Sequence, residues 1–332
     1  MKNIDGLTIL IPFFNSARTI TRTLDALMLQ DIRRPVEIIL LDSNSTDSSR
    51  SLIEKHPICK QWPVRIETVD QGGPGAKINK GVSISKYGII LYTHSDCYVE
   101  DPSATEQMIT FLEDPDVVGV ASRFTLPIDV WRRMAFLDRV SASRYVNQKN
   151  YGFGGKYDII RKSAFESIGG FDCEHFFSAG EDIDLTLRLQ EIGRIVKSQV
   201  CVIHGHESPV KPKLSSFFRK QAQLAQGFGA VNRKHLRVLR SGKLVSRATY
   251  IHLLKALLLL GLFIPMTSIY SALLLLAMGT YYSWRAMLCF DWRIITVPFL
   301  NVAAFVVFVA NAIIGFFTGS QTTDYHPKRR SK

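Results

Sequence analysis

The chain is poor in cysteine and has no Cys-x-x-Cys pair. Its five cysteines are scattered over 332 residues, which argues against both a disulfide framework and a zinc site built from paired thiolates. A reduced, cytosolic environment is the simplest inference for the water-soluble part. Residues 7–14 are apolar but too few for a secretory signal, and no small-residue cleavage site follows them. We therefore expect the N-terminal domain to stay in the cytoplasm.

Acidic residues are missing from residues 208–250, where ten lysines and arginines are interleaved with leucine and phenylalanine. Together with the formal net charge of +12, this segment suits either a nucleic acid or an anionic membrane surface. No nucleic-acid-binding motif is recognisable, and apolar runs follow at once. We therefore interpret residues 208–249 as a basic amphipathic segment in the membrane interface and expect no nucleic-acid partner. An ordinary solvated basic helix is the alternative.

Charged residues of either sign are absent from residues 256–284 and 294–323. Each run exceeds the ~20 apolar residues that a bilayer crossing requires. The first run is long enough to tilt, or to break at Pro265 into two shorter helices. Because basic residues flank the two runs, we predict about two membrane crossings with an outer loop near Asp291. The chain is then a multi-pass protein of the cell membrane, with its N-terminal domain and its C-terminal tail in the cytoplasm.

Strands and helices alternate in the first two hundred residues. Runs typical of strands lie at 7–12, 36–41, 64–69 and 89–92, and polar or glycine-rich loops follow them. This rhythm predicts an α/β fold with a doubly wound, Rossmann-like, mostly parallel sheet. The predicted parts of the chain are the α/β domain at 1–207, the basic interface segment at 208–249, the transmembrane region at 250–323 and the basic tail at 324–332.

Polar residues follow these strands at the edge where open α/β sheets bind ligands. Asp42 follows the second strand and can accept hydrogen bonds from a base or ribose. Lys77, after the glycines at 72–75, can neutralise a diphosphate at a helix start. Asp96, beside His94 at the end of the fourth strand, can hold a divalent metal against the same diphosphate. These strand ends predict a nucleotide-diphosphate site.

A carboxylate pair, Glu181 and Asp182, opens a later helix. A carboxylate at this place could accept the proton of an attacking hydroxyl, which is the role of a general base. The alternative for Asp182 is a negative charge that only stabilises the positive end of the helix dipole.

Four segments in a fixed order resemble the inverting family-2 glycosyltransferases with the GT-A fold: TILIPFFN at 8–15, LDSNSTD at 41–47, HSD at 94–96 and GED at 180–182. The resemblance covers about residues 5–230 and implies a GT-A type mixed sheet. It also implies transfer of a sugar, with inversion, from a UDP- or GDP-sugar to a lipid-linked or glycan acceptor at the membrane. Mg²⁺ or Mn²⁺ is the implied cofactor, and homo-oligomerisation is left open.

The strand ends and the resemblance together give a set of expected site residues. For the donor nucleotide these are Pro12, Asn15, Asp42, Lys77, Ser95 and Asp96. The resemblance implies Asp96 and His204 as metal ligands, with His206 as the alternative histidine. It also implies an acceptor site at Glu181 and Asp182, with Asp182 as the catalytic base.

Two positions depart from the family pattern. His94 stands where the family has the first aspartate of its metal motif, and Ser43-Asn44 replaces Asp-Gly. Because of His94, a membrane protein that binds a nucleotide sugar without catalysis remains as one alternative function. A polyprenyl-phosphate-sugar synthase, the nearest rival within the resembled family, is the other.

Overall fold

A computed structural model describes most of the chain, namely residues 6–69, 72–148, 150–151, 153–205, 212–236, 247–287 and 291–321. His206, the basic tail at 324–332 and parts of the basic segment lie outside these residues. The chain divides into two compact units. The first unit is Met1–Val130, Tyr145–Cys173 and Glu181–Ser208, and the second is Trp131–Arg144, Glu174–Gly180 and Pro209–Lys332. The boundary expected near residue 207 stays a prediction.

The first unit is built on a nine-stranded sheet. Its strands are β1 (Leu7–Phe13), β2 (Val36–Asp42), β3 (Val64–Thr68), β4 (Ile89–Tyr92), β5 (Cys97–Val99), β6 (Val117–Thr125), β7 (Asn150–Tyr151), β8 (Asp158–Arg161) and β9 (Arg194–His204). The spatial order is β3-β2-β1-β4-β8-β6-β9-β5, and β7 pairs with β6.

The α-helices within the described residues are α1 (Ile20–Met28), α2 (Ser49–Glu54), α3 (Ile58–Gln61), α4 (Pro74–Ile84), α5 (Ala104–Thr110), α6 (Ile128–Arg133), α7 (Phe136–Ala142), α8 (Lys162–Ser167), α9 (Glu181–Gln190), α10 (Leu214–Lys234), α11 (Arg247–Gly261), α12 (Ser268–Tyr282), α13 (Trp284–Met287) and α14 (Val297–Thr318).

The central strand β1 is buried on both faces because its side chains serve two different cores. Leu7, Ile9 and Ile11 belong to one hydrophobic cluster, while Leu10 belongs to the cluster on the opposite face. This alternation follows from the two-residue period of a strand. Strands β2 and β4 pair with β1 in parallel, so the predicted parallel sheet is confirmed for this half.

The other half of the sheet has both directions, because β6 and β9 are parallel while its other pairs are antiparallel. Strand β8 runs antiparallel to both β4 and β6, and β5 runs antiparallel to β9. The sheet is therefore mixed, as the GT-A resemblance implied, rather than mostly parallel throughout.

The first predicted crossing does not form one long helix. The apolar run is divided near Pro265 into α11 and α12, each of 15 residues. A proline cannot continue a helix ladder, and the Thr267 hydroxyl instead donates a hydrogen bond to the carbonyl of Gly261 at 2.9 Å. Among the described residues, one helical stretch is long and apolar enough to cross a bilayer, Trp292–Thr318. The expectation of about two crossings is therefore not supported.

The predicted interface helix forms as α10, and part of it is buried against α14. A Cβ on Gly229 would lie 2.1 Å from the Ala312 carbonyl oxygen, and one on Gly315 would lie 2.1 Å from that of Gln226. The side chain of Gln226 also donates a hydrogen bond to Asn311 at 3.0 Å. Glycine lets the two backbones approach this closely, so α10 and α14 form one packed pair.

Candidate active site

A narrow cavity of about 40 Å³ lies in the first unit, beside the carboxyl ends of β1 and β4. It is lined by Pro12, Pro74, Gly75, Ile78, Tyr92, His94, Gly154, Gly155, Phe171, Glu181 and Asp182. The cavity therefore brings residues from two of the predicted strand ends next to the predicted acceptor carboxylates, which are distant from them in sequence.

Sheet pairing brings Asp96 and His204 together. Strand β5 pairs with β9 so that Cys97 is opposite His204. The Nε2 atom of His204 lies 3.3 Å from Oδ2 of Asp96. The two residues expected to bind metal are thus neighbours, although 108 positions separate them.

His94 and Cys97 extend this cluster. Ligand atoms of His94, Asp96 and Cys97 all lie within 4.8 Å of one another. Burial, helped by the charge of Lys156, lowers the pKa of His94 to about 4, so the imidazole is neutral and can ligate. Burial also raises the pKa of the Cys97 thiol, which disfavours thiolate ligation. The cluster with metal-ligand spacing is His94, Asp96 and Cys97, and the role of His204, which is next to Asp96, as a metal ligand stays a prediction.

The carboxylate pair at the start of α9 is strongly perturbed. Burial raises the pKa of Asp182, and burial together with the Asp182 charge raises the pKa of Glu181. The charge of Lys156 and the Ile183 backbone N–H, which donates to Asp182 at 2.8 Å, oppose the shift at Asp182. A raised carboxyl pKa in a cavity is typical of an acid–base residue.

The third carboxylate of this helix, Asp184, forms an ion pair within the helix. Asp184 is fully buried and accepts two hydrogen bonds from Arg188, at 2.6 and 2.8 Å. It therefore has a structural role as an ion pair, which leaves Glu181 and Asp182 as the acid–base candidates of α9.

Two buried polar atoms of cavity residues have no hydrogen-bond partner among the described residues, the hydroxyl of Tyr92 and Oε2 of Glu181. Buried polar atoms of a folded protein are nearly always paired. These two atoms therefore indicate a place where a polar ligand or water completes the hydrogen bonding.

A glycine turn lines one side of the cavity. It was not among the site residues predicted from the sequence. Gly155 has φ of +75°, and a Cβ there would lie 3.0 Å from the Tyr92 ring. Asp158, fully buried, accepts hydrogen bonds from the backbone N–H of Gly155 at 2.7 Å and of Ser122 at 2.9 Å. Lys156 follows the turn and affects the pKa of both α9 carboxylates. The glycine-rich sequence at 151–155 was the feature from which this part of the site could have been predicted.

Apart from Lys77, the residues predicted to bind the nucleotide lie at the ends of β1, β2 and β4 or in the loops that follow these strands. Asp42 is buried, and its Oδ1 accepts hydrogen bonds from the Ser45 backbone and hydroxyl at 2.9 and 2.7 Å. Asn15 accepts from the Thr46 backbone N–H at 2.8 Å, which fixes the same loop. The Ser95 hydroxyl lies 2.8 Å from that of Ser16. These residues therefore hold one another in place at neighbouring strand ends.

Lys77 differs from its expected orientation. Its Nζ donates hydrogen bonds to the carbonyls of Gly72 at 3.3 Å and Gly73 at 3.5 Å, and its side chain does not line the cavity. The role of Lys77 in neutralising a diphosphate therefore stays a prediction.

Residues 8–169 match the family described as Glycosyl transferase family 2. Over 95 residues the chain is 39% identical to the poly(ribitol-phosphate) beta-glucosyltransferase of Bacillus spizizenii, covering 28% of this chain and 15% of that protein. Over 227 residues it is 21% identical to the O-antigen chain rhamnosyltransferase WbaN of Salmonella anatum, covering 64% and 70%. Several curated relatives are longer proteins, of which the chain spans less than two thirds.

A solved structure shares the fold. The mannosyltransferase PcManGT from Pyrobaculum calidifontis, in complex with GDP-Man and Mn²⁺, matches with a TM-score of 0.58 at 17% identity. The match covers 94% of this chain and 86% of that one. Residues 8–169 therefore belong to glycosyl transferase family 2, and the chain carries a glycosyltransferase domain with the GT-A fold.

Proposed function

We propose that this chain transfers a sugar from a UDP- or GDP-sugar to a lipid-linked or polysaccharide acceptor at a membrane, with inversion. The observation that carries the proposal is one cavity lined by both His94, the neighbour of Asp96, and the carboxylates Glu181 and Asp182. The groups proposed to act on the diphosphate and the group proposed to accept the proton then lie at the same cavity.

Asp182 is the proposed general base. It accepts the proton of an acceptor hydroxyl, whose oxygen attacks the anomeric carbon while the bond from that carbon to the diphosphate oxygen breaks. The nucleotide diphosphate leaves with the bonding electron pair, and a single displacement inverts the anomeric centre. The buried hydroxyl of Tyr92 orients a sugar or acceptor hydroxyl in the same cavity.

Asp42, with Asn15, Pro12 and Ser95, is proposed to contact the donor nucleotide. The support is their position at the carboxyl ends of β1, β2 and β4, since parallel strand ends form the usual nucleotide crevice of such sheets.

A divalent cation is part of the proposal, with Asp96 and His204 as ligands and His94 as a third donor. One carboxylate and two imidazoles suit Mn²⁺ better than Mg²⁺, which prefers oxygen ligands. When bound, such a cation stabilises the charge that develops on the leaving diphosphate. The solved mannosyltransferase of the same fold is a complex with GDP-Man and Mn²⁺, which supports both the donor class and the metal.

A membrane-bound acceptor is supported by the apolar second unit and by the relatives. The names of those relatives refer to poly(ribitol-phosphate) and to the O-antigen chain, which are polymeric acceptors. We therefore place the proposed reaction at the cytoplasmic surface of the cell membrane.

The test is a screen of radiolabelled nucleotide sugars against membranes that contain the protein, with and without a chelator. We expect label in a lipid-linked or polymeric product, metal-dependent release of UDP or GDP, and loss of both in Asp182→Asn. Label on polyprenyl phosphate alone would identify a synthase. Donor binding without transfer to any acceptor would identify a non-catalytic protein and overturn the proposal.

A further inference from the structure

The helices of the second unit expose many large apolar side chains. Phe263 and Met266, between α11 and α12, are each 86% exposed, and Leu257 of α11 is 66% exposed. Soluble proteins rarely leave contiguous apolar patches larger than a few hundred Å² uncovered. A lipid bilayer is the partner that fits, because the basic residues at 208–250 add attraction to anionic headgroups.

The N-terminal end of α14 forms an ion pair with a chain segment that is joined at both of its ends to the first unit. The Asp291 carboxylate pairs with Arg139 at 2.8 Å, and both side chains are largely buried. The same segment is also attached to the end of α12, where the Ser283 hydroxyl donates to the Val140 carbonyl at 3.0 Å. Arg139 and Val140 lie in Trp131–Arg144, whose neighbours on both sides along the chain belong to the first unit.

The C-terminal end of α14 is bonded to a second such segment. Oε1 of Gln321 accepts hydrogen bonds from the backbone N–H groups of Phe177, Ser178 and Ala179 at 3.2, 3.0 and 3.0 Å. The backbone N–H of Gln321 donates to the His175 carbonyl at 2.9 Å. These residues lie in Glu174–Gly180, which is also joined at both ends to the first unit.

Only a few residues of chain separate each of these two attachments from the first unit. Arg139 is six residues from Tyr145 of the first unit, which is ~20 Å even when the chain is fully extended. Ala179 is two residues from Glu181. A helix of 22 residues is ~33 Å long, and the hydrocarbon core of a bilayer is ~30 Å thick. If α14 crossed the membrane, backbone of the first unit would be drawn into the hydrocarbon, where its polar groups would lose their water.

We propose that α14 does not cross the bilayer, and that the second unit is monotopic, immersed in one leaflet with both ends of α14 at the same interface. This inference rests on the membrane association proposed above. Helices α11 and α12, each ~22 Å long, enter and leave the same leaflet around Pro265. The polar Asn301 of α14 is satisfied within the unit, where it donates to the Gly279 carbonyl at 2.7 Å and to Ser283 at 3.0 Å.

The test is the sidedness of single cysteines in sealed membrane vesicles of one orientation. Three variants each retain one thiol: the native, exposed Cys59 of the first unit, Trp292→Cys, or Ser320→Cys. A membrane-impermeant maleimide is applied before and after detergent, and the detergent value is the reference for each site. We expect the three thiols to react from the same side. Reaction of Trp292→Cys only in vesicles of the opposite orientation, while Cys59 and Ser320→Cys react only in the first, would show a crossing and overturn the inference.

A cross-linking experiment in the same membranes tests the attachment itself. Arg139→Cys with Asp291→Cys should be joined by a short bifunctional thiol cross-linker, because the two native side chains meet at their tips, and each single variant is the control. Absence of the cross-link in membranes would remove the basis of the monotopic arrangement. Recovery of the protein in the soluble fraction would instead refute membrane association, and a transfer assay on that fraction would still test the glycosyltransferase activity.

Discussion

At the scale of single residues, the hydroxyl of Tyr92, which has no hydrogen-bond partner among the described residues, makes a defined prediction. A buried hydrogen-bonding group that loses its partner costs about 1–3 kcal/mol, so a substrate hydroxyl that pairs with Tyr92 should gain a similar amount. Tyr92→Phe should lower kcat/KM about 10-fold and should leave the melting temperature unchanged or slightly raised. Unchanged kinetics would show that the hydroxyl does not contact the substrate.

Glu181 makes a prediction about pH. Its pKa is raised by burial and by Asp182, so the folded protein holds a proton that the unfolded chain releases above about pH 4.3. Stability should therefore fall as pH rises from that value toward the raised folded pKa. Glu181→Gln should remove this loss, giving a higher melting temperature than the wild type near pH 8 and a similar one at pH 4. Parallel melting curves for the two proteins would contradict the assignment.

At the scale of elements, the glycine turn before β8 can be separated from ordinary glycine strain. Gly155 and Gly169 have nearly the same φ, +75° and +76°, but a Cβ on Gly169 meets nothing within 4 Å. Both Gly→Ala changes should cost about 1–3 kcal/mol of backbone strain, measured by denaturant unfolding. Only Gly155→Ala also presses on Tyr92, so we expect only that variant to lose substantial turnover. Equal loss in both would mean that the turn has no special role at the cavity.

The segment before α9 depends on the end of α14. Gln321 accepts three backbone hydrogen bonds from residues 177–179, and this segment leads directly into Glu181 and Asp182. Gln321→Ala should lower kcat several-fold with a smaller effect on the KM for donor, and Gln321→Glu, which keeps the acceptor oxygen, should restore most of the activity. Failure of Gln321→Glu to differ from Gln321→Ala would exclude this positioning role.

At the scale of the whole molecule, the parallel half of the sheet was the part that sequence could predict. Local alternation and strand ends indicated where Asp42 and Asp96 lie, because Asp42 is the last residue of β2 and Asp96 lies four residues after β4. The proximity of Asp96 and His204, by contrast, depends on the pairing of β5 with β9, and no local pattern encodes that register. The resemblance supplied it instead.

Other features depend on side-chain packing and on long-range contacts, which sequence patterns do not determine. The side chain of Lys77 is directed to nearby carbonyls, an outcome of packing rather than of its place at a helix start. The Tyr92 and Gly155 contact joins β4 to a turn 63 residues later. The possible break near Pro265 was expected from the sequence and is confirmed, whereas the count of membrane crossings was derived from hydropathy, which does not record the ion pair between Arg139 and Asp291.

The central claim is that Asp182 is the base of a glycosyl transfer and that Asp96 serves the donor diphosphate. The most direct measurement compares Asp182→Asn and Asp96→Asn in one preparation, by donor binding in calorimetry and by sugar transfer, with a thermal melt as the check on folding. Asp182→Asn should lose roughly 10²- to 10⁴-fold in turnover with little change in nucleotide affinity, whereas Asp96→Asn should weaken donor binding and transfer together. Near-wild-type transfer by a folded Asp182→Asn variant would contradict the account.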